Sequence, residues 1–322
     1  MKTRKLGWTD LNLTIIGLGT WAIGGGGWQY GWGPQDDKES IDTILRALEM
    51  GINWIDTAAV YGLGHSEEIV GKTVKKLKEK PIIATKCGRD WDKDGYIRGN
   101  LKKERIRFEI ESSLRRLQVE VIDLYQIHQA QPDEDIEEAW SVIADAVKEG
   151  KIRYAGVSNF SVEQIKRIQP INPIASLQPP YSMLRRDVEK ELLSFCAEND
   201  IGVVIYSPMQ KGLLTGRFSK ERALNLSQDD HRRNDPMFQE PQLSANLEFA
   251  NELCPIAKKN GRSVAELAIA WCLRRPEITS AIVGARRSSQ IEETVKAGDW
   301  ELSKEDITAI DLLLAKYQKA SV

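Results

Sequence analysis

Cysteine and histidine are scarce in this chain, with four of the first and three of the second in 322 residues. Cys87, Cys196, Cys254 and Cys272 show no metal-like pairing, and His65, His128 and His231 stand far apart. No metal site is expected, and the thiols read as buried groups of a reducing compartment. Long hydrophobic runs are also missing. Nothing approaches the roughly 18 uninterrupted apolar residues that a membrane span requires. The basic start, Met1-Lys2-Thr3-Arg4-Lys5, leads into Leu6-Gly7-Trp8-Thr9-Asp10, which supplies no apolar core for a signal peptide. The expectation is a cytoplasmic protein. A formal charge of −2 lacks the basic face that a nucleic-acid partner calls for.

What the chain does have is alternation. Apolar, strand-like runs occur at residues 15–18, 52–55, 82–85, 121–127, 154–157, 174–177, 203–205 and 281–283. Between them lie stripes of helical period, such as Ile41, Ile44, Leu45 and Leu48, then Ile106, Ile110, Leu114 and Leu117, and then Val188, Leu192, Phe195 and Cys196. Eight strands alternating with helices give an α/β fold in which a parallel sheet closes as a (β/α)8 TIM barrel. Residues 3–13 read as a hairpin ahead of it. Ser303 with Asp306 opens a last, extra helix. No linker or short repeat divides the chain, so residues 1–322 are expected to form one domain. The polar, turn-rich stretch 215–245 falls outside the alternation and reads as a lid or binding loop, or as disorder.

Gly17-Leu18-Gly19-Thr20-Trp21-Ala22 matches the GxGxxA dinucleotide fingerprint in letters only. That fingerprint must open a helix, whereas Gly24-Gly25-Gly26-Gly27 follows here. Each glycine costs about 1 kcal/mol relative to alanine in a helix. The segment therefore reads as a strand entering a flexible loop. Trp21, Trp28, Trp32 and Trp91 are candidates for an aromatic pocket beside it, Trp21 first.

Seven of the eight runs end in a polar or glycine-bearing cluster: Asp56, Lys86, His128, Ser158-Asn159, Gln178, Tyr206-Ser207 and Gly284-Ala285-Arg286-Arg287. In such a barrel the strand C-termini converge on the face that carries active sites. Tyr61, five residues after Asp56, completes an apparatus for protonating a carbonyl oxygen. Reduction needs a hydride from a cofactor and an acid for the developing alkoxide. An ammonium 4 Å from a phenol contributes about 4 kcal/mol at an effective dielectric near 20, about three pKa units of depression. A carboxylate would orient that lysine, and a neutral histidine would donate to the substrate oxygen. Singly, each residue has a plainer reading as a cap, a solvated strand end or a core group. Cys87, beside Lys86, reads as a small apolar filler, with a lowered thiol pKa as the alternative.

The runs Asp56-Thr57-Ala58-Ala59-Val60-Tyr61-Gly62 and Gly64-His65-Ser66-Glu67 resemble the signature of the aldo-keto reductase superfamily. So do Gly17-Leu18-Gly19-Thr20-Trp21, residues 152–160 and Tyr206-Ser207-Pro208. The similarity covers nearly the whole chain and leans toward the bacterial, potassium-channel-β-like branch. The resemblance implies that Tyr61 is the general acid, that Lys86 and Asp56 depress its pKa, and that His128 orients the carbonyl of a small-molecule substrate. It also implies a nicotinamide cofactor.

For that cofactor, Ser158, Asn159 and Gln178 offer groups for a carboxamide, and Tyr206 a ring for stacking. By the resemblance, Gly19, Thr20 and Trp21 border the cofactor. Ser207, Pro208, Met209, Gly212, Leu213 and Arg217 match the pyrophosphate loop, and Gln290 and Glu293 the surroundings of adenine and its ribose. Arg286 and Arg287 precede a helix and favour NADPH over NADH through the 2′-phosphate. Gly284-Ala285 stands where relatives carry lysine-serine, which leaves both arginines as phosphate candidates. Thr294 stands where asparagine is common. Two other functions use the same barrel: a Schiff-base lyase with Lys86 as nucleophile, and a nucleotide-binding sensor subunit with little turnover. A monomer or small homo-oligomer is expected.

Overall fold

The computed structural model describes residues 1–320. A hairpin of β1 (Thr3–Lys5) and β2 (Asn12–Thr14) is followed by β3 (Ile16–Gly19), α1 (Asp37–Glu49), β4 (Trp54–Asp56), α2 (His65–Val74) and β5 (Ile82–Cys87). A second hairpin, β6 (Arg89–Trp91) and β7 (Ile97–Gly99), precedes α3 (Lys103–Leu117), β8 (Ile122–Ile127), α4 (Ile136–Lys148), β9 (Ile152–Ser158), α5 (Val162–Ile168) and β10 (Ser176–Gln178). The chain continues through α6 (Leu192–Glu198), β11 (Gly202–Tyr206), α7 (Lys220–Leu224), α8 (Gln242–Lys259), α9 (Val264–Leu273), β12 (Ile278–Gly284), α10 (Ser288–Thr294) and α11 (Lys304–Ala320). All eight runs of the sequence become barrel strands, closed in the order β3-β4-β5-β8-β9-β10-β11-β12. Their pairings are all parallel.

Strands in such a barrel are covered on both sides, which is why they read as continuous apolar runs. The outer layer packs Ile16, Ile55, Ile83, Ile127 and Val157 against helix residues such as Ile44, Ile110 and Ile143. The inner layer is Trp54, Ala84, Leu124, Ala175 and Val204, sealed below by Leu6, Leu11 and Leu13 of the predicted hairpin. Each of those buried leucines stabilises the plug by roughly 1.5–3 kcal/mol. Gly17 makes this interior possible, because a Cβ there would lie 2.0 Å from the Trp54 indole. The first glycine of the misleading fingerprint thus serves barrel packing, and the following residues form a single 3-10 turn, Trp21–Gly24.

Two local expectations differ. Val188 sits in a 3-10 turn, Asp187–Glu189, ahead of α6 and does not extend that helix. The 215–245 stretch is ordered: Leu213, Phe218, Leu226, Phe238 and Leu243 form a small core of their own. With α7 and two 3-10 turns, that core holds the segment over the barrel mouth.

Candidate active site

A cavity of about 800 Å³ opens at the C-terminal face of the barrel. It is lined by Asp56, Tyr61 and His128 and by most of the predicted cofactor residues: Gly19, Trp21, Ser158, Asn159, Gln178, Tyr206, Ser207, Pro208, Met209, Gly212, Arg217, Gly284, Arg286, Gln290, Glu293 and Thr294.

Asp56 ends β4 and Lys86 lies one residue from the end of the adjacent β5, so the parallel register brings them together behind the cavity wall. Lys86 Nζ donates to Asp56 Oδ1 at 2.7 Å and to the Thr57 carbonyl at 2.8 Å, and approaches the Tyr61 hydroxyl at 3.5 Å. Three acceptors match the three N–H groups of an ammonium. Gln178 Nε2 donates to the other oxygen, Asp56 Oδ2, at 2.8 Å. Both members of the pair are almost fully buried, with side chains 0 % and 3 % exposed. Burial raises the Asp56 pKa and lowers that of Lys86, and their mutual attraction opposes both shifts.

Tyr61 stands on a 3-10 turn, Tyr61–Gly64. Gly62 follows at φ +62°, and a Cβ there would lie 2.4 Å from the Gly24 carbonyl oxygen. Glycine at 62 is what lets this turn pass the glycine-rich loop. Sequence reasoning expects Lys86 to draw the phenol pKa down. In the free protein the direction is the reverse: burial pushes the Tyr61 phenol well above its ordinary 10, and the charges of Asp56 and Tyr206 add to it. The larger physical reason is burial, and the negative charge of Asp56, 2.7 Å from Lys86, further disfavours a phenolate. Tyr61 is therefore a firmly protonated donor.

His128, just after β8, packs edge-on to Tyr61 with ring centroids 5.8 Å apart. Burial, then Lys86, then Arg89 hold its pKa well below the ordinary 6.5, so the imidazole is neutral. Its Nδ1 is buried without a hydrogen-bond partner among the described residues. Asn159 Nδ2 donates to the His128 carbonyl and to Ser158 Oγ, both at 3.0 Å, and its Oδ1 accepts from the Tyr206 hydroxyl at 2.8 Å. Ser158 Oγ donates to the Gln178 carbonyl at 2.8 Å. The four groups predicted around a nicotinamide are thus one network.

Four predicted residues do not line the cavity. Lys86 lies behind Tyr61 and Asp56. Thr20 donates through N and Oγ1 to the Asp56 carbonyl, at 2.9 and 3.1 Å, and so buttresses that strand end. Leu213 is fully buried in the small core of the 215–245 segment. Arg287 lies on the exposed surface beside α10. Lys86, the nucleophile of the Schiff-base alternative, is 1 % exposed and donates to Asp56. Cys87 is 1 % exposed and burial pushes its thiol up, consistent with packing. Trp91 borders a separate cavity with Arg105 and Phe108.

The residues missed from sequence sit mostly on short elements inserted after the barrel strands: Arg89 on β6, Gln129 after β8, Arg222 on α7, and Lys211, His231 and Arg232 on 3-10 turns. His231 stacks on Trp21 and packs against Trp32 at 4.6 and 4.8 Å, and burial pushes its imidazole down to about 4. Arg232 pairs with Asp230 at 2.6 Å and covers the Trp32 ring. Arg286 Nε donates to Gln35 Oε1 at 2.7 Å, and its other nitrogens donate to the Trp32 and Pro34 carbonyls. These contacts strap the glycine-rich loop across the mouth.

The cavity suits a dinucleotide. Gly19 and Gly284 pair in register at neighbouring strand ends and present bare backbone to it. Trp32 Nε1 and His231 Nε2 are buried on its wall without partners among the described residues. Arg222, Arg232 and Arg286 crowd one end: burial, then the Arg232 charge, lowers the pKa of both Arg222 and Arg286.

The sequence matches the aldo/keto reductase family across residues 15–315. A protein of this class is an oxidoreductase that works on carbonyl groups with a nicotinamide cofactor. The chain belongs to the aldo/keto reductase family. It is 41 % identical over 309 residues to aldo-keto reductase YhdN of Bacillus subtilis, covering 95 % of this chain and 91 % of that one. It is 37 % identical over 322 residues to the NADH-specific methylglyoxal reductase of Escherichia coli, covering 96 % and 97 %. The structure of the glycerol dehydrogenase AKR11B4 from Gluconobacter oxydans superposes with a TM-score of 0.88 at 39 % identity, covering 98 % of this chain and 96 % of that one. Among the described residues no helix is long and apolar enough to cross a membrane.

Proposed function

We propose that the protein reduces an aldehyde or ketone to an alcohol, reversibly, with Tyr61 as proton donor and NADPH as the preferred cofactor. The observation that carries this reading is the Tyr61 hydroxyl held 3.5 Å from Lys86 Nζ and packed edge-on to His128 at the cavity wall. The nicotinamide, when bound, supplies the hydride. The network of Asn159, Gln178 and Tyr206 would hold that ring, and the loop from Ser207 to Arg217 with Gln290 and Glu293 would hold the rest.

A substrate carbonyl between Tyr61 and His128 accepts two hydrogen bonds, one from the phenol and one from the imidazole N–H. As negative charge grows on its oxygen, the Tyr61 proton moves across. The resulting phenolate is stabilised by Lys86, because the proton transfer turns a weak contact into a charge-assisted one. Asp56, fixed by Lys86 and Gln178, keeps the ammonium in place through the cycle. A raised resting pKa and an efficient acid are compatible, because Lys86 acts on the charge that develops during the reaction.

The NADPH preference rests on the arginine-rich end of the cavity, where Arg222 and Arg286 stand without a carboxylate partner among the described residues. The NADH-specific Escherichia coli relative makes this a point to test. A reactive aromatic aldehyde and NADPH are mixed with the protein, and loss of the reduced-nicotinamide absorbance is followed. Multiple turnover supports the reading. Cofactor binding without turnover of any aldehyde or ketone refutes it and favours the sensor function.

A further inference from the structure

The cavity has two sides with different chemistry. Most residues predicted to hold the cofactor follow β9, β10, β11 and β12, whereas Tyr61, Arg89, His128 and Gln129 follow β4, β5 and β8. In the closed strand order β8 lies opposite β12. A substrate entering beside Tyr61 therefore meets the β5–β8 side.

One cation stands on that side in an unusual state. Arg89 opens β6, two residues beyond the end of β5, and is fixed there by pairing with Gly99 across the β6–β7 hairpin. It is half-buried and lines the cavity. Its contacts are all long and all to neutral oxygens: Nη1 to Gln129 Oε1 at 3.3 Å and to Gln131 Oε1 at 3.5 Å, and Nη2 to the Tyr30 hydroxyl at 3.3 Å. Its guanidinium also lies 5.9 Å from the Tyr30 ring centroid. Other cavity cations are spoken for. Lys211 pairs with Asp235 at 2.7 Å, Arg217 with Glu293 at 2.9 Å and Arg232 with Asp230 at 2.6 Å. Arg286 is held by Gln35 and two carbonyls. Arg222 packs on Phe218 at the far, arginine-rich end.

We propose that Arg89 is a substrate-recognition residue for an anionic group, and that the preferred substrates are aldehydes or ketones bearing a carboxylate or phosphate a few bonds from the carbonyl. This rests on the carbonyl-reductase reading above. A guanidinium held only by long neutral contacts gains a bidentate, charge-assisted pair when an anion arrives. Gln129 and Gln131 have side-chain amides that can turn their N–H groups toward the same anion. Arg89 donates to Gln129, the chain neighbour of His128, and both Arg89 and His128 line the cavity, which puts the anion site next to the carbonyl site.

The test compares matched pairs under NADPH-saturating conditions: 4-carboxybenzaldehyde against its neutral methyl ester, and glyceraldehyde 3-phosphate against glyceraldehyde. Wild type is expected to favour at least one charged member, and Arg89→Gln to lower that charged-to-neutral ratio of kcat/KM ten- to hundred-fold, mainly through KM. Arg89→Lys should recover part of it. Retained NADPH binding by each variant shows that the fold is intact. Which pair responds tells carboxylate from phosphate. Turnover of the neutral aldehydes with no charged preference, or a ratio that Arg89→Gln leaves in place, overturns the inference alone. No turnover of any of the four overturns the reductase reading and the inference with it.

Discussion

Replacing Asp56 by Asn removes one half of a buried ion pair and leaves the other half dehydrated. Lys86 Nζ would keep the Thr57 carbonyl at 2.8 Å and the Tyr61 hydroxyl at 3.5 Å but lose its carboxylate partner. Breaking such a pair costs about 3–5 kcal/mol, because an uncompensated charge stays in a low-dielectric site. Loss of the lysine proton, already favoured by burial, sets the ceiling on that cost. For a chain of this size the expected fall in Tm is roughly 4 to 7 °C. Urea unfolding followed by tryptophan fluorescence should show a lower midpoint with little change in slope. The informative comparison is the double variant Asp56→Asn/Lys86→Met. With no charge left to strand, it should recover roughly half or more of the lost stability and none of the turnover. An Asp56→Asn protein within about 1 kcal/mol of wild type, the value of an exposed pair, would refute the reasoning. So would a double variant less stable than the single.

Three further outcomes follow from the same geometry. Glu109 accepts the Gly88 N–H at 2.9 Å, and burial raises its carboxyl from 4.5 to about 7. The native state holds a proton there that the unfolded chain releases, so stability falls as pH climbs from 4.5 through about 7. Melts across that window should show wild type losing up to about 3 kcal/mol relative to Glu109→Gln, and parallel curves would contradict this. Gly62→Ala places a Cβ 2.4 Å from the Gly24 carbonyl at φ +62°. It should cost more than about 1 kcal/mol and depress turnover by displacing Tyr61, whereas a wild-type melting curve would show that the turn adapts. Arg222→Met should lower the preference for NADPH over NADH roughly ten- to hundred-fold, measured as the ratio of kcat/KM values. An unaltered ratio would move the phosphate site away from the arginine cluster.

Much of the barrel was legible because buried parallel strands leave continuous apolar runs, and most runs ended where a polar or glycine residue met the cavity. Boundaries shifted by a residue or two, as where Ile52-Asn53 precedes β4, because short strands are bounded by pairing that a hydropathy pattern does not display. The segment over the mouth was legible as a lid or binding loop, but the choice between order and disorder was not. Leu213, Phe218, Leu226, Phe238 and Leu243 have no strand or helix period, so their small core is visible only in three dimensions. Arg89, His231 and Arg232 reach the cavity from a short hairpin strand and a 3-10 turn, elements too brief for spacing to carry directional information. The direction of the Tyr61 pKa was missed for a related reason. Proximity to Lys86 can be guessed from strand order, but burial and the opposing charge of Asp56 depend on distances of a few ångströms.

The central claim is that Tyr61 delivers the proton. NADPH oxidation with a reactive aromatic aldehyde should be measured for wild type and Tyr61→Phe, with NADPH binding measured on both. Loss of a general acid lowers turnover by about 10² to 10⁴, so the variant should bind NADPH as wild type does and fall by that factor. A Tyr61→Phe protein that turns over at the wild-type rate would contradict the account.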